Sequence, residues 1–258
     1  MRYFLKIAYN GMAFHGWQCQ PNAHTVQQTL EEALATILRT EVPIVAAGRT
    51  DTGVHASAQY AHFDFPEPLT ERLAFKLNGY LDEHIAIRGF FTADDDAHAR
   101  FSATSRSYVY RFILEKSPLW YERAWLLKTP PLDWQAMQAA ADTLLEYEDF
   151  ASFCKTGGGN KTTLCKVTEA RFNTDSQIVE FHISANRFLR GMVRAVVGTL
   201  IDVGKSKLNV DDFRRIIEAQ DRSRAGMAAP PQGLYLCGVG YPTGLLQPLY
   251  LPPQPPQL

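Results

Sequence analysis

The sequence predicts an α/β (α+β) protein built of two ferredoxin-like halves, each ordered β-α-β-β-α-β, that flank a basic cleft. Three observations support this. Strand-like alternation opens each half, amphipathic helical faces with recognisable caps follow, and the second half repeats the element order of the first without residue-level self-similarity. A chain of 258 residues is ample for two such cores.

In the first half, period-2 alternation over Tyr3 to Tyr9 puts Tyr3, Leu5, Ile7 and Tyr9 on one side of a strand. Thr25 and Gln28 read as a capping box, and Val26, Leu30, Ala33, Leu34, Ile37 and Leu38 form the apolar face of the helix it starts. Short apolar strands follow at Ile44–Ala47 and Ala58–Phe65. A second helix begins near Thr70 and is expected to stop around Asn78-Gly79, which tolerate a left-handed residue. Ile85–Phe91 is the last strand of this half.

In the second half, Ser107–Leu114 is a strand, and Asp133 caps a helix running to about Tyr147. Lys166–Phe172 and Ile178–Ser184 read as a hairpin across Asn173-Thr174-Asp175. Helices are expected over Asn186–Val203 and Val210–Gln220, with a closing strand at Leu234–Gly240. The acidic run Asp94-Asp95-Asp96 marks a boundary, giving domains 1–100 and 101–245 and a Pro-rich tail, 246–258, extended around Pro252-Pro253.

Composition narrows the function classes. Apolar residues are 46% and charged residues 21%, ordinary for a globular protein. No apolar run reaches the roughly 20 residues that span a bilayer, and the N-terminus lacks a signal-peptide core, so a cytoplasmic protein with no membrane partner is expected. The four cysteines (Cys19, Cys154, Cys165, Cys237) form no C-x-x-C, and inert thiols are favoured over a Cys154, Cys165, His182 metal site. Lys and Arg total 26 against 27 Asp and Glu, so any nucleic-acid surface must come from local gathering of positive charge.

The most informative stretch is Gly48-Arg49-Thr50-Asp51-Thr52-Gly53-Val54-His55-Ala56. Its glycines let the backbone turn sharply, and Arg49 can keep a shielded Asp51 ionised, fit to act as nucleophile or general base. A structural turn with an Arg–Asp pair is the plain reading of such a fragment. Asp51-Thr52-Gly53 is also the tripeptide of aspartic proteases, which need two carboxylates, so a homodimer would have to supply the second. Gly157-Gly158-Gly159-Asn160-Lys161-Thr162 lacks the spacing and flanking elements of a phosphate loop.

The Gly-Arg-Thr-Asp-x-Gly-Val-His stretch resembles the signature of the tRNA pseudouridine synthase A family. So do Tyr9-Asn10-Gly11, Phe14-His15-Gly16-Trp17-Gln18, Thr25-Val26-Gln27, His98-Ala99-Arg100-Phe101-Ser102-Ala103 and Arg106-x-Tyr108-x-Tyr110. Asn186-x-Phe188, Met192-Val193-Arg194, Gly198 and Gly233-Leu234-Tyr235-Leu236 complete the set in the family's order. Departures are Asn10, where the family usually has aspartate, Glu148, where a histidine is common, and the glycine run near Gly157.

The resemblance implies an isomerase that converts uridine to pseudouridine at positions 38, 39 and 40 of tRNA, without a cofactor or metal. It implies Asp51 as the catalytic carboxylate, Tyr108 as the active-site tyrosine and Arg194 as the arginine paired with the aspartate. It also implies a homodimer on one tRNA. On the residues alone, Tyr108, Tyr110 and Phe112 share one strand face, with Phe112 read as core. At about 100° per residue, Arg187, Arg190 and Arg194 fall within about 60° on one helix face, and Gly191 and Gly198 leave room for a backbone or phosphate. Arg49 and Arg190 are the leading phosphate contacts, with Arg100, Arg106, Lys205 and Lys207 behind them. His15 and His55 read as structural histidines. A catalytically inactive RNA-binding module is the alternative from another class.

Overall fold

The computed structural model describes residues 1–128, 131–155, 157 and 162–253. The chain forms two units, Met1–Thr104 joined by the residues from Leu236 onward, and Ser105–Tyr235. Residues 158–161 of the glycine run and 254–258 of the tail lie outside the described residues.

In the first unit, β1 (Arg2–Tyr9) leads to α1 (Val26–Leu38), β2 (Val45–Ala46), β3 (His55–Asp64), α2 (Arg72–Tyr80) and β4 (Ile85–Ala93). The strands lie in the order β4-β1-β3-β2 with antiparallel pairing throughout, the arrangement of a split β-α-β ferredoxin-like unit. Tyr3, Leu5, Ile7 and Tyr9 are buried as the alternation requires, and Tyr3 stacks between Phe63 and Phe90. Burying such a ring contributes roughly 1.5–3 kcal/mol. Phe4, on the opposite face, is buried as well, in a cluster with Ala47, Phe91, Ala97 and Ala99. The pairing of β1 with β3 slips between Ile7 and Tyr9, so Tyr9 faces Ala56 at the mouth of the 48–54 loop.

Two helix expectations need correction here. Thr25 does cap α1, its Oγ1 accepting from Gln28 N at 3.4 Å, but the Gln28 amide donates forward to Glu32 and the box is only half formed. α2 ends at Tyr80, one residue past Gly79, but not on the left-handed residue expected there, its C-cap Leu81 being extended. Asn78 stays helical because its side chain grips the next strand, donating to Ile87 O at 3.0 Å and accepting from Ile87 N at 2.7 Å.

The second unit contains β5 (Ser105–Ile113), β6 (Trp125–Leu126), α3 (Trp134–Asp142), β7 (Val167–Asn173), β8 (Ile178–Ala185), α4 (Met192–Gly204) and α5 (Val210–Glu218). β8 lies between β5 and β7 and is antiparallel to both, and β6 adds in parallel to β5. Asp133 caps α3, accepting from Ala136 N at 2.9 Å, but the α-helix ends at Asp142 and a 3-10 turn over Thr143–Leu145 replaces its expected last turns. Asn209 and Asp212 form a complete capping box on α5. Tyr110 and Phe112 are fully buried, so both belong to the core.

α4 starts later than the sequence suggested. It begins at Met192, after Gly191 in the left-handed conformation at φ 71°, and residues 186–191 are not helical. The single-helix stripe of Arg187, Arg190 and Arg194 is therefore not realised; only Arg194 is on the helix.

β9 (Leu234–Gly240) carries the chain back to the first unit, where β10 (Gln247–Tyr250) pairs with the outer edge of β4. Residues that the sequence reading placed in the second half and the tail thus complete the first unit.

Candidate active site

The loop 48–54 connects β2 to β3 and is held by residues distant in sequence. Thr50 is buried, with its Oγ1 2.8 Å from the Tyr9 hydroxyl and its carbonyl accepting from Trp17 N at 3.1 Å. Asp51 O accepts from Val54 N at 3.1 Å, closing a tight turn through Gly53 at φ 77°. Gln59 Nε2 donates to Gly48 O at 2.8 Å and anchors the other end.

The 10–17 segment is fitted to this loop. A side chain on Gly11 would overlap the Val54 carbonyl, with an ideal Cβ only 2.0 Å from its oxygen. Gly16, at φ 86°, has Thr50 O at 2.8 Å from its own ideal Cβ, so both steric room and backbone conformation require glycine. His55 is buried, and its Nδ1 accepts from Gly11 N at 3.2 Å, the structural role expected of it. His15 is exposed. Asp51 is half-buried between buried Thr50 and Gly53, with Arg49 exposed on the same loop.

In the second unit, Tyr108 lies on β5 opposite Ile183 and meets the Phe188 ring edge-on, with centroids 5.1 Å apart. It is half-buried, unlike Tyr110 two residues on, so this face changes from core to accessible along the strand. Arg194 sits in the first turn of α4 and donates Nε to Ala229 O at 2.7 Å, while Ala229 N returns a bond to Arg194 O at 2.9 Å. The segment 226–230 forms a strap along α4. Gly226 N donates to Thr199 Oγ1 at 2.9 Å, and Met227 O occupies the space where a Gly198 side chain would stand, 1.7 Å from its ideal Cβ. Tyr110 donates to Pro230 O at 2.7 Å, and burial raises its phenol well above the usual range, so it stays protonated as the strap's donor. The room at Gly198 thus holds a backbone.

The other cations are dispersed. Arg190 is exposed in the turn before α4, and its carbonyl accepts from Lys155 N. Arg106 donates to Asn186 O at 2.9 Å, Lys207 pairs with Asp202 at 3.4 Å, Lys205 caps α4, and Arg100 lies over Phe101. Cys154, Cys165 and His182 do not form a metal site, and among the described residues no group of three or more His, Cys, Asp or Glu could hold an ion. Burial pushes the Cys165 thiol up to about 11, consistent with an inert cysteine. No described helix is long and apolar enough to cross a membrane.

Sequence reasoning missed Tyr9 as a support of the aspartate loop, Phe188 as the partner of Tyr108, and the 226–230 strap. The glycines at 198 and 226, with Pro230-Pro231, were the only visible signs of the strap.

A family model described as tRNA pseudouridine synthase matches residues 140–242. Beyond that class-level match, proteins named tRNA pseudouridine synthase A align along nearly the whole chain. The protein from Parabacteroides distasonis is 48% identical over 246 residues, covering 95% of this chain and 97% of its own length. That from Porphyromonas gingivalis is 49% identical over 254 residues, with 95% and 98% covered, and that from Bacillus velezensis 40% over 245, with 93% and 99% covered. The chain belongs to the tRNA pseudouridine synthase A family.

Proposed function

We propose that this chain isomerises uridine to pseudouridine in tRNA, at positions 38, 39 and 40 of the anticodon stem-loop, with the Asp51 carboxylate as its central group. The observation that carries the reading is the mounting of Asp51, half-buried directly after a buried Thr50 that is held by Tyr9 and Trp17. Identity of 48% to a protein named tRNA pseudouridine synthase A supports the substrate class.

The reaction breaks the bond from C1′ to N1, turns the uracil and joins C1′ to C5. The C5 proton leaves and N1 gains one, so no atoms or electrons are gained or lost overall. An ionised carboxylate serves either route to this product, adding to C6 of the ring or acting at the sugar. Tyr108, half-buried and braced by Phe188, is suited to stack on a uracil flipped from the stem, a step that costs a few kcal/mol. Arg194, fixed through the strap, is the arginine that the family resemblance assigns to the aspartate, and exposed Arg49 and Arg190 contact phosphates. The enzyme works as a homodimer in the cytoplasm.

The test is incubation of unmodified tRNA transcripts with the purified chain, followed by carbodiimide mapping of pseudouridine and light scattering for mass. Pseudouridine confined to uridines 38–40, made by a species of twice the chain mass, is the expected result. Binding without modification would replace the enzyme by an RNA-binding module.

A further inference from the structure

Residues 98–101 form a side-chain cluster in the first unit that the chemistry above does not use. Phe101 is 75% exposed. A single exposed apolar residue needs no explanation by itself; its mounting is what sets Phe101 apart. The His98 ring packs on it with centroids 4.3 Å apart, and the Arg100 guanidinium lies 5.7 Å from its centroid. His98 Nδ1 accepts from both Arg100 N at 3.1 Å and Phe101 N at 3.3 Å. Ser102 N donates to His98 O at 2.9 Å, and its Oγ accepts from His98 N at 2.9 Å, closing the loop on itself.

The base of this loop is equally fixed. Ala97 and Ala99 are buried against Phe4 and Phe91. Arg2 donates to Ala97 O at 2.8 Å, Tyr241 donates to Ala99 O at 2.7 Å, and Ala99 N donates to His62 Nδ1 at 3.1 Å. The neighbouring acidic run is partly offset, with the Met1 amine 3.8 Å from Asp95 and Arg2 close enough to feel Asp95 and Asp96.

We propose that this loop is an RNA contact, in which Phe101 stacks on an unpaired nucleobase of the substrate and Arg100 neutralises the adjacent phosphate. The proposal rests on the tRNA reading above. A flat ring beside a guanidinium matches the two things a single-stranded nucleotide offers, a π-face and a phosphate. Because the loop is already ordered, binding costs it little conformational freedom.

The test compares the intact chain with Phe101→Ala, Phe101→Trp and Arg100→Gln for affinity and KM toward an unmodified tRNA transcript, across salt concentrations. Phe101→Ala is expected to raise Kd and KM by about tenfold or more with kcat preserved and the salt slope unchanged. Phe101→Trp should retain binding, and Arg100→Gln should weaken it while lowering the salt slope by about one. Phe101 is mostly exposed, so its replacement spares the core, and matching melting temperatures confirm folding. Unchanged Kd and KM in Phe101→Ala and Arg100→Gln would overturn the assignment, as would a loss of self-association with tRNA binding intact, which would make the loop a protein contact. If the unaltered chain neither binds nor modifies tRNA, the failure belongs to the functional reading instead.

Discussion

The hydroxyl of Tyr9 lies 2.8 Å from Thr50 Oγ1 in a buried contact between the end of the first strand and the residue preceding Asp51. The slip in register after Ile7 aims Tyr9 at this point, and the Thr50 carbonyl is held in turn by Trp17 N. The Asp51 carboxylate is therefore set by a neighbour locked through both side chain and backbone. Tyr9→Phe leaves the Thr50 hydroxyl buried without this partner and is expected to cost about 1–3 kcal/mol in urea unfolding. It should lower kcat while leaving tRNA affinity near that of the unaltered chain. An unchanged kcat would separate this contact from catalysis.

Gly198→Ala places a methyl 1.7 Å from Met227 O, an overlap that only movement of the strap can relieve. Loss of stability on the order of 3 kcal/mol is expected, together with a fall in activity as the Arg194–Ala229 bond is broken. Gly48→Ala is the contrast, because its ideal Cβ meets nothing within 4 Å, and its melting temperature should barely move. Equal melting temperatures in the two variants would remove the strap from the explanation.

Stability should fall on mild acidification through His62. Burial, then the charges of Arg2 and His98, lowers its pKa to about 4, against about 6.5 in the unfolded chain. Between those values the unfolded chain holds a proton that the folded chain does not, so stability is complete above pH 6.5 and declines toward pH 4. A loss on the order of 2 kcal/mol from this site is expected between pH 7 and pH 5, read from urea midpoints. His62→Gln still offers Ala99 N an acceptor and should be flatter across the window, with a remnant from His98, whose pKa is also lowered by burial.

Asn78→Ala tests which rule governs the end of α2. Helix propensity alone favours the alanine, but the substitution removes both hydrogen bonds to Ile87. A net loss of about 1–2 kcal/mol in thermal or urea unfolding is expected, and a gain would mean propensity outweighs the bridge.

These residues also mark how far the sequence could be read. Strand alternation at Tyr3–Tyr9 and the caps at Thr25 and Asp133 are local signals, and they placed the elements correctly. Asn78-Gly79 marked the end of α2 to within a residue, but not its extended C-cap or the grip of Asn78 on Ile87. The arginine stripe assumed a helix continuous through Gly191, whereas that residue takes a left-handed conformation and α4 starts after it. At the candidate site, the motif around Asp51 was legible as a run of residue types. Its support by Tyr9, Gly11 and Gly16 was not, because those contacts close only when distant segments pack. The strap at 226–230 was hidden for the same reason.

The measurement that tests the central claim most directly is tritium release from tRNA labelled at C5 of uridine, comparing the intact chain with Asp51→Ala. The intact chain should release tritium in step with pseudouridine formation. The variant, with matched melting temperature and tRNA affinity, should release none above background. Release by Asp51→Ala at a rate near that of the intact chain would contradict the assignment of the reaction to the Asp51 carboxylate.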